Sequence, residues 1–351
     1  DLLCFGTADM DYRSPEPVLA SLKSVLERGH LGYPKIPDLY YETIHNWLLH
    51  IAGWNVDTRC CVLQNSGVYV LAWGALQLLT KPGDAVVILT PVHSVFKELL
   101  TLNNRKTLEC PLMLKNGFYE IDFSFLEGCL ASGAKVLWLC NPHNPAGRVW
   151  TKQELVRIGK ICLQNDILIV ADEIHCELVF PGHTYTPFAS VSEEFLMHSV
   201  TCTSPSKAFN LAGLQIANII SADTNIRMRI EKAINVNEVC DVNPFGIEAL
   251  MAAYNNSEEW LDKLNHYLFA NYNYLKNYFK EHLPQFPVIR LEGTYLVWID
   301  CSVLKLSSKE IVKTLLKRGK IRVNEGSLYG EAGDHFIRIN IACPRQTLID
   351  G

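Results

Sequence analysis

The chain has no apolar run long enough to cross a bilayer. Its longest, Val68–Leu79, is broken by Gly74 and Gln77 and falls short of the ~20 residues a span requires. Positive charge is not in excess either: 32 Lys and Arg stand against 37 Asp and Glu, a formal net charge of −5. With no basic stripe, nucleic acid is not an expected partner. No secretory leader is read at the start, and internal repeats and low-complexity tracts are lacking. G-x-G-x-x-G, the P-loop, H-E-x-x-H and G-x-S-x-G do not occur, which removes the usual fingerprints of dinucleotide, nucleotide, zinc-protease and serine-hydrolase chemistry. Twelve cysteines are present but never as C-x-x-C, and Cys60 adjoins Cys61. That pattern suits neither a metal knuckle nor a disulfide framework, so no metal site is expected. Thiols set in apolar strands (Cys140, Cys202) and helices (Cys162, Cys240) read as small hydrophobes kept reduced, and the expected location is cytoplasmic.

What is present is an ordinary globular composition, 48% hydrophobic and 20% charged over 351 residues. At ~100–200 residues per domain this length predicts two domains. Apolar runs at Ala85–Thr90, Val136–Cys140, Ile167–Asp172, Val200–Thr203 and Asn218–Ala222 hold their polar residues back to the C-terminal ends. Strands covered by helices on both faces read this way. A helix over Thr151–Asn165 opens on a Thr151/Glu154 capping-box pattern. From about residue 246 the rhythm changes to one long helical stretch, Phe245 to about His282, and then strands Thr294–Ile299 and Phe336–Ile341 around a helix over Ser308–Arg318. Near the start, a helix over Pro15–Arg28 is ended by Gly29, and another helix begins at Arg345. The fold class expected is α/β: a large domain over 45–245 with a mostly parallel sheet in an α/β/α sandwich, and a smaller α+β domain over 246–351. Residues 1–44 are expected to join the small domain and a dimer interface.

Chemistry-bearing residues gather at strand ends, where open α/β sheets bind ligands. Ser204-Pro205-Ser206-Lys207 follows the fourth strand. A half-buried lysine there forms Schiff bases readily, with a plain surface lysine as the bland alternative. S-x-x-K also occurs in serine acyl-transferases, but their S-D-N and K-T-G companions are missing here. Asp172-Glu173-Ile174-His175 closes the strongest apolar run, where an acid is costly unless a cation or a helix start satisfies it. Asn141-Pro142-His143-Asn144-Pro145-Ala146-Gly147-Arg148 forces a specific non-helical loop. Asn65-Ser66-Gly67 opens the apolar helix and is either an anion site or a simple cap. Arg338, in Phe336-Ile337-Arg338-Ile339-Asn340, either forks onto a carboxylate or makes a cross-strand ion pair.

In this order the segments resemble the fold-type I pyridoxal 5′-phosphate (PLP) enzymes, in the class I/II aminotransferase superfamily, and among them the cystathionine β-lyase/cystalysin branch. The likeness covers nearly the whole chain. It runs through Ala8-Asp9-Met10-Asp11, Leu31-Gly32-Tyr33, Asn141 to Trp150, Asp172 to His175, Pro205-Ser206-Lys207 with Phe209-Asn210, Glu292-Gly293-Thr294-Tyr295 and Arg338-Ile339-Asn340.

The resemblance implies that Lys207 forms the Schiff base with PLP and moves the substrate α-proton. It implies that Asp172 pairs with the ring nitrogen, that Asn144 bonds the 3′-oxygen, and that His175 adjoins the cofactor. The phosphate falls to the backbone at Ser66, Gly67 and Val68 and to the Ser204 and Ser206 hydroxyls. Tyr33 reaches in from the second subunit of a homodimer with shared sites, and Arg338, beside Asn144, clamps the α-carboxylate of a small amino-acid substrate. The implied activity is β-elimination from a thio amino acid, giving pyruvate, ammonia and a thiol. An aminotransferase, or a PLP-binding protein with weakened catalysis, is the alternative.

Two departures stand out. Where the family carries a ring-stacking tyrosine this chain has His93, which can stack but is smaller and titrates near neutral pH, so cofactor affinity or the choice of reaction is expected to differ. Gln215 stands where many aminotransferases carry a phosphate-binding arginine.

Overall fold

The computed structural model describes residues 2–65, 76–77, 79–235 and 242–351. Ser66, Gly67, Val68 and Cys240 lie outside the described residues, as does most of the helix read over Val68–Leu79. Among the described residues no helix is long and apolar enough to cross a membrane.

Leu3–Cys4 (β1) is a short strand near the N-terminus. The central sheet uses Val62–Asn65 (β2), Ala85–Thr90 (β3) and Lys106–Pro111 (β4), and a small hairpin follows, Met113–Lys115 (β5) with Phe118–Glu120 (β6). The sheet continues with Ala134–Cys140 (β7), Leu168–Asp172 (β8), Ser199–Thr203 (β9) and Ala217–Ile220 (β10). Its order is β2-β10-β9-β8-β7-β3-β4. β10 is antiparallel to both neighbours, and the other strand pairs of the sheet are parallel. The reversal has a local cause. Residues 204–216 between β9 and β10 contain only a short 3-10 turn, Ala212–Leu214, and so provide no crossover helix of the kind a parallel return needs.

Alternation explains the unbroken apolar runs. Val87, Leu89, Leu137, Leu139 and Ile169 face one core, with Leu155 and Ile158 of the helix Lys152–Gln164. Val86, Ile88, Val136, Trp138 and Val170 face another, with Phe96 and Ile230. Successive side chains point to opposite faces, and both faces are covered. The capping box is present: Glu154 N–H donates to Thr151 Oγ1 at 3.2 Å, and Thr151 N–H to Glu154 Oε2 at 2.8 Å. The first long helix is Glu16–Arg28, ended by Gly29 at φ 66°, a left-handed conformation glycine adopts without strain.

One expectation is corrected. The stretch read as a single helix to His282 is two, Pro244–Asn256 and Glu258–His282. Between them Ser257 leaves helical geometry (φ −125°, ψ 17°) while its hydroxyl bonds back to Ala252 O at 3.2 Å. Further on, Leu296–Asp300 (β11), Asn324–Glu325 (β13) and Phe336–Asn340 (β14) form a three-stranded antiparallel sheet in the order β11-β14-β13. Ile321–Arg322 (β12) pairs with β1, which ties the N-terminal segment to this region. The helix expected over Ser308–Arg318 is α-helical over Ser308–Thr314 and widens into a π turn over Leu315–Gly319.

Candidate active site

The C-terminal ends of β7, β8 and β9 carry Asn144, Asp172 and Lys207 to one depression, where they meet Ala8, His93 and His175. β14 adds Arg338: its Nη1 donates to Asn144 Oδ1 at 3.1 Å and its Nη2 to Gly6 O at 2.7 Å. Residues that are 194 apart in sequence thus share a hydrogen bond.

Asp172 is buried and accepts Ile174 N–H at 3.3 Å. Burial pushes its carboxyl up to about 7, with the Ile174 bond and Lys207 pulling the other way. Lys207 is half-buried and donates from Nζ to Ala8 O at 2.7 Å. Burial and the Arg338 charge hold its ammonium below the ordinary lysine range, against Asp9 and Asp172. His175 is buried, and its Nδ1 has no hydrogen-bond partner among the described residues.

The loop after β7 contains cis peptides at Asn141–Pro142 and Asn144–Pro145. His143 Nε2 meets Pro91 O at 2.8 Å, so this histidine is structural. Glu173, the second residue of Asp172-Glu173-Ile174-His175, is structural too, accepting from Tyr185 Oη at 2.5 Å and Phe188 N–H at 2.8 Å.

Two readings need correction. Ser204 is buried, its hydroxyl donates to Ile216 O at 2.6 Å, and Ser206 N–H donates to it at 3.1 Å. In this arrangement it braces the turn that carries Lys207 and presents no free hydroxyl to a phosphate. Ser206 is half-buried beside it. His93 does not titrate near neutrality. Burial, then the Arg338 and Lys207 charges, push it down to about 3, and Val95 N–H donates to its Nδ1 at 3.4 Å. A backbone donor at Nδ1 leaves the proton of the neutral ring on Nε2. His93→Phe is therefore expected to leave the shape of the activity–pH profile between about pH 5 and 8 unchanged; a lost inflection in that range would show that His93 does titrate there.

Tyr33 is not brought to this depression by its own chain and stands 91% exposed. Gln215, in left-handed backbone (φ 51°), is exposed at the end of the turn after Lys207. Sequence reasoning gave no role to Gly6, Ala8 or Tyr295. The first two act through carbonyl oxygens, which no side-chain pattern announces.

A lysine on the turn after β9, an acid at the end of β8 and an asparagine loop after β7, in a sheet with one reversed strand, define a fold-type I enzyme. The aminotransferase class I and II family matches residues 21–350, and the chain belongs to that family. It is 38% identical to cystathionine beta-lyase PatB of Bacillus subtilis over 352 residues, covering 100% of this chain and 91% of that one. Among solved structures it resembles a PLP-bound protein from Clostridium difficile 630, with a TM-score of 0.97 and 38% identity over 100% of this chain and 90% of that one. Cystalysin from Treponema denticola, which contains a PLP cofactor, matches with a TM-score of 0.97 and 34% identity over 99% and 89%.

Proposed function

We propose that the chain is a PLP-dependent carbon–sulfur β-lyase acting on cystathionine, cysteine or a related β-thio amino acid. The observation that carries the reading is the convergence of Lys207, Asp172, Asn144 and Arg338 in a chain 38% identical to a cystathionine beta-lyase. The residues fit the cofactor. Asp172 is a buried acid that a protonated ring nitrogen would satisfy, and His175 keeps a buried nitrogen without a partner among the described residues. PLP, when bound, supplies the electron sink that lets a substrate Cα–H ionise.

The chain's own residues do the rest. Arg338, its plane set by Asn144 and Gly6, takes the substrate α-carboxylate. Lys207, the amine that would carry the cofactor, would take the Cα proton on its Nζ. Asp172 would keep the ring nitrogen protonated, and His93, neutral, lines the same depression with its aromatic ring. The net outcome would be a thiol from Cβ and, with one water taken up, pyruvate and ammonia from the rest of the substrate. Ser66, Gly67, Val68 and Ser206 remain the candidates for the phosphate.

We take the protein as a homodimer in which each exposed Tyr33 completes the other copy's site. The domain division stays at 1–44, 45–245 and 246–351, supported by the β1–β12 pairing that joins the first segment to the last. A cytoplasmic location is in keeping with the described cysteines, all of them free thiols.

The test is a paired assay on PLP-loaded protein given L-cystathionine. Pyruvate and thiol are expected in equal amounts over many turnovers. Accumulation of the pyridoxamine form, reversed by a keto acid, would assign an aminotransferase instead.

A further inference from the structure

Four of the motifs contain residues to which the proposed chemistry gives no role, namely Asp9 to Asp11, Asn210, Tyr295 and Asn340. In the structure they meet on one segment. Residues 6–12 cross the site as a strap tied at both ends. Phe5 N–H donates to Arg322 O at 2.7 Å and Asn340 N–H to Phe5 O at 2.8 Å, while Asp11 N–H donates to Ala342 O at 2.9 Å.

Between the ties, five successive carbonyls accept from side chains remote in sequence. Gly6 O takes Arg338 Nη2 (2.7 Å) and Thr7 O takes Asn340 Nδ2 (2.7 Å). Ala8 O takes both Lys207 Nζ (2.7 Å) and Tyr295 Oη (3.2 Å). Asp9 O takes Asn340 Nδ2 again (2.7 Å), and Met10 O takes Asn210 Nδ2 (3.0 Å). Asn210 Oδ1 accepts Met10 N–H at 3.2 Å, from a left-handed backbone (φ 57°).

Tyr295 is aimed from a constrained place. Thr294 before it is fully buried at φ 70°, a conformation that strains a β-branched residue. Gly293 packs so closely that a Cβ there would lie 2.6 Å from Leu178 O.

We propose that this strap positions the two cationic groups of the site through its carbonyls, and that Asn340 and Tyr295 are positioning residues for the reaction. The inference rests on the roles of Lys207 and Arg338 given above. Gly6 O and Asn144 Oδ1, on the two Nη atoms, fix the guanidinium plane against which a carboxylate must register. An amine that donates one N–H to Ala8 O has its lone pair turned away from the strap, as proton abstraction requires. Asn340 holds the strap on both sides of Ala8 and so serves both groups. Tyr295 Oη donates to the Ala8 carbonyl that Lys207 also reaches, and its ring stands edge-on to His175 at 6.1 Å between centroids, so it serves the lysine side of the site.

The full PLP-loaded chain is compared with Asn340→Ala and Tyr295→Phe in three readouts: hydrogen exchange at the Met10 and Asp11 amides, steady-state kinetics with L-cystathionine, and the rate of PLP capture after the cofactor is stripped. Asn340→Ala removes two hydrogen bonds from the strap. It is expected to speed the exchange about tenfold, raise KM about tenfold, and slow both kcat and PLP capture about fivefold to tenfold. Tyr295→Phe is expected to slow kcat and PLP capture about fivefold with KM held within about twofold. Faster exchange in Asn340→Ala with unchanged KM, kcat and capture would overturn the proposal, leaving the strap a mere cover. So would a Tyr295→Phe chain that captures PLP and turns over at the original rates. If the unmodified chain releases no pyruvate or thiol while capture and exchange respond as stated, the lyase reading fails and the strap's hold on Lys207 stands, read from the capture rates.

Discussion

Lys207→Ala is expected to lower pyruvate and thiol release from L-cystathionine by at least about 10³-fold, because it removes the group proposed both to carry the cofactor and to move the α-proton. The fold should survive. Lys207 is half-buried on a turn, and its Nζ bonds only Ala8 O among hydrogen-bond partners in the described residues. PLP should still bind without a covalent link, held through Asp172 and measured by equilibrium dialysis, and a small added amine should restore part of the rate. Undiminished turnover would place the chemistry elsewhere. Ser204 is a poor substitute, since its hydroxyl proton is committed to Ile216 O at 2.6 Å in the interior.

Arg148→Ala is expected to destabilise the protein by about 3–5 kcal/mol, read from urea unfolding with PLP present. Arg148 is buried and donates from Nε to Glu292 at 2.9 Å, from Nη2 to both oxygens of Glu154 at 3.0 Å, and from Nη1 to Tyr119 O. Its guanidinium lies 4.1 Å from the Phe118 ring and 4.7 Å from the Trp150 ring. Taking it away leaves Glu292 buried, with Val149 N–H at 3.0 Å and the more distant His183 and Arg290 as its remaining polar neighbours. Arg148→Met fills the space but strands the same carboxylate, so it should cost nearly as much. Adding Glu292→Gln to Arg148→Met should recover about 1–2 kcal/mol, the coupling expected of a direct pair. Additive losses would show that packing on Phe118 and Trp150 outweighs the charge.

This network also gives the Arg148 of the Asn141–Trp150 motif its physical meaning. It ties the loop that presents Asn144 to the segment that presents Tyr295, by bonding Glu292 three residues before that tyrosine. The motif pointed to a functional loop. What it showed of Arg148 was a charge near a glycine, and whether that charge faced a ligand or a buried acid depended on a partner 144 residues away.

Much else was legible in the residues. The strands Ala85–Thr90 and Val136–Cys140 announced themselves as continuous apolar runs because helices cover both of their faces. Thr151 and Glu154 announced a helix start, and Gly29 a helix end, because these devices act within one turn. Asp172, Lys207 and Asn144 stood out as polar residues at or just past the ends of buried strands, where open α/β sheets bind ligands, but only the family resemblance chose a role for them over a helix cap or a plain surface lysine.

The sequence by itself thus determined the local elements, the chemical types gathered at the strand ends, and the family. Those depend on side chains whose properties are written in their names. Only the tertiary structure decided the reversal of β10, the inward turn of the Ser204 hydroxyl, the neutral His93 and the strap whose carbonyls reach Arg338 and Lys207. Each of these arises from burial or from backbone atoms. Burial sets a pKa through surroundings assembled from distant segments, and a carbonyl oxygen is the same in every residue, so neither leaves a mark in a sequence.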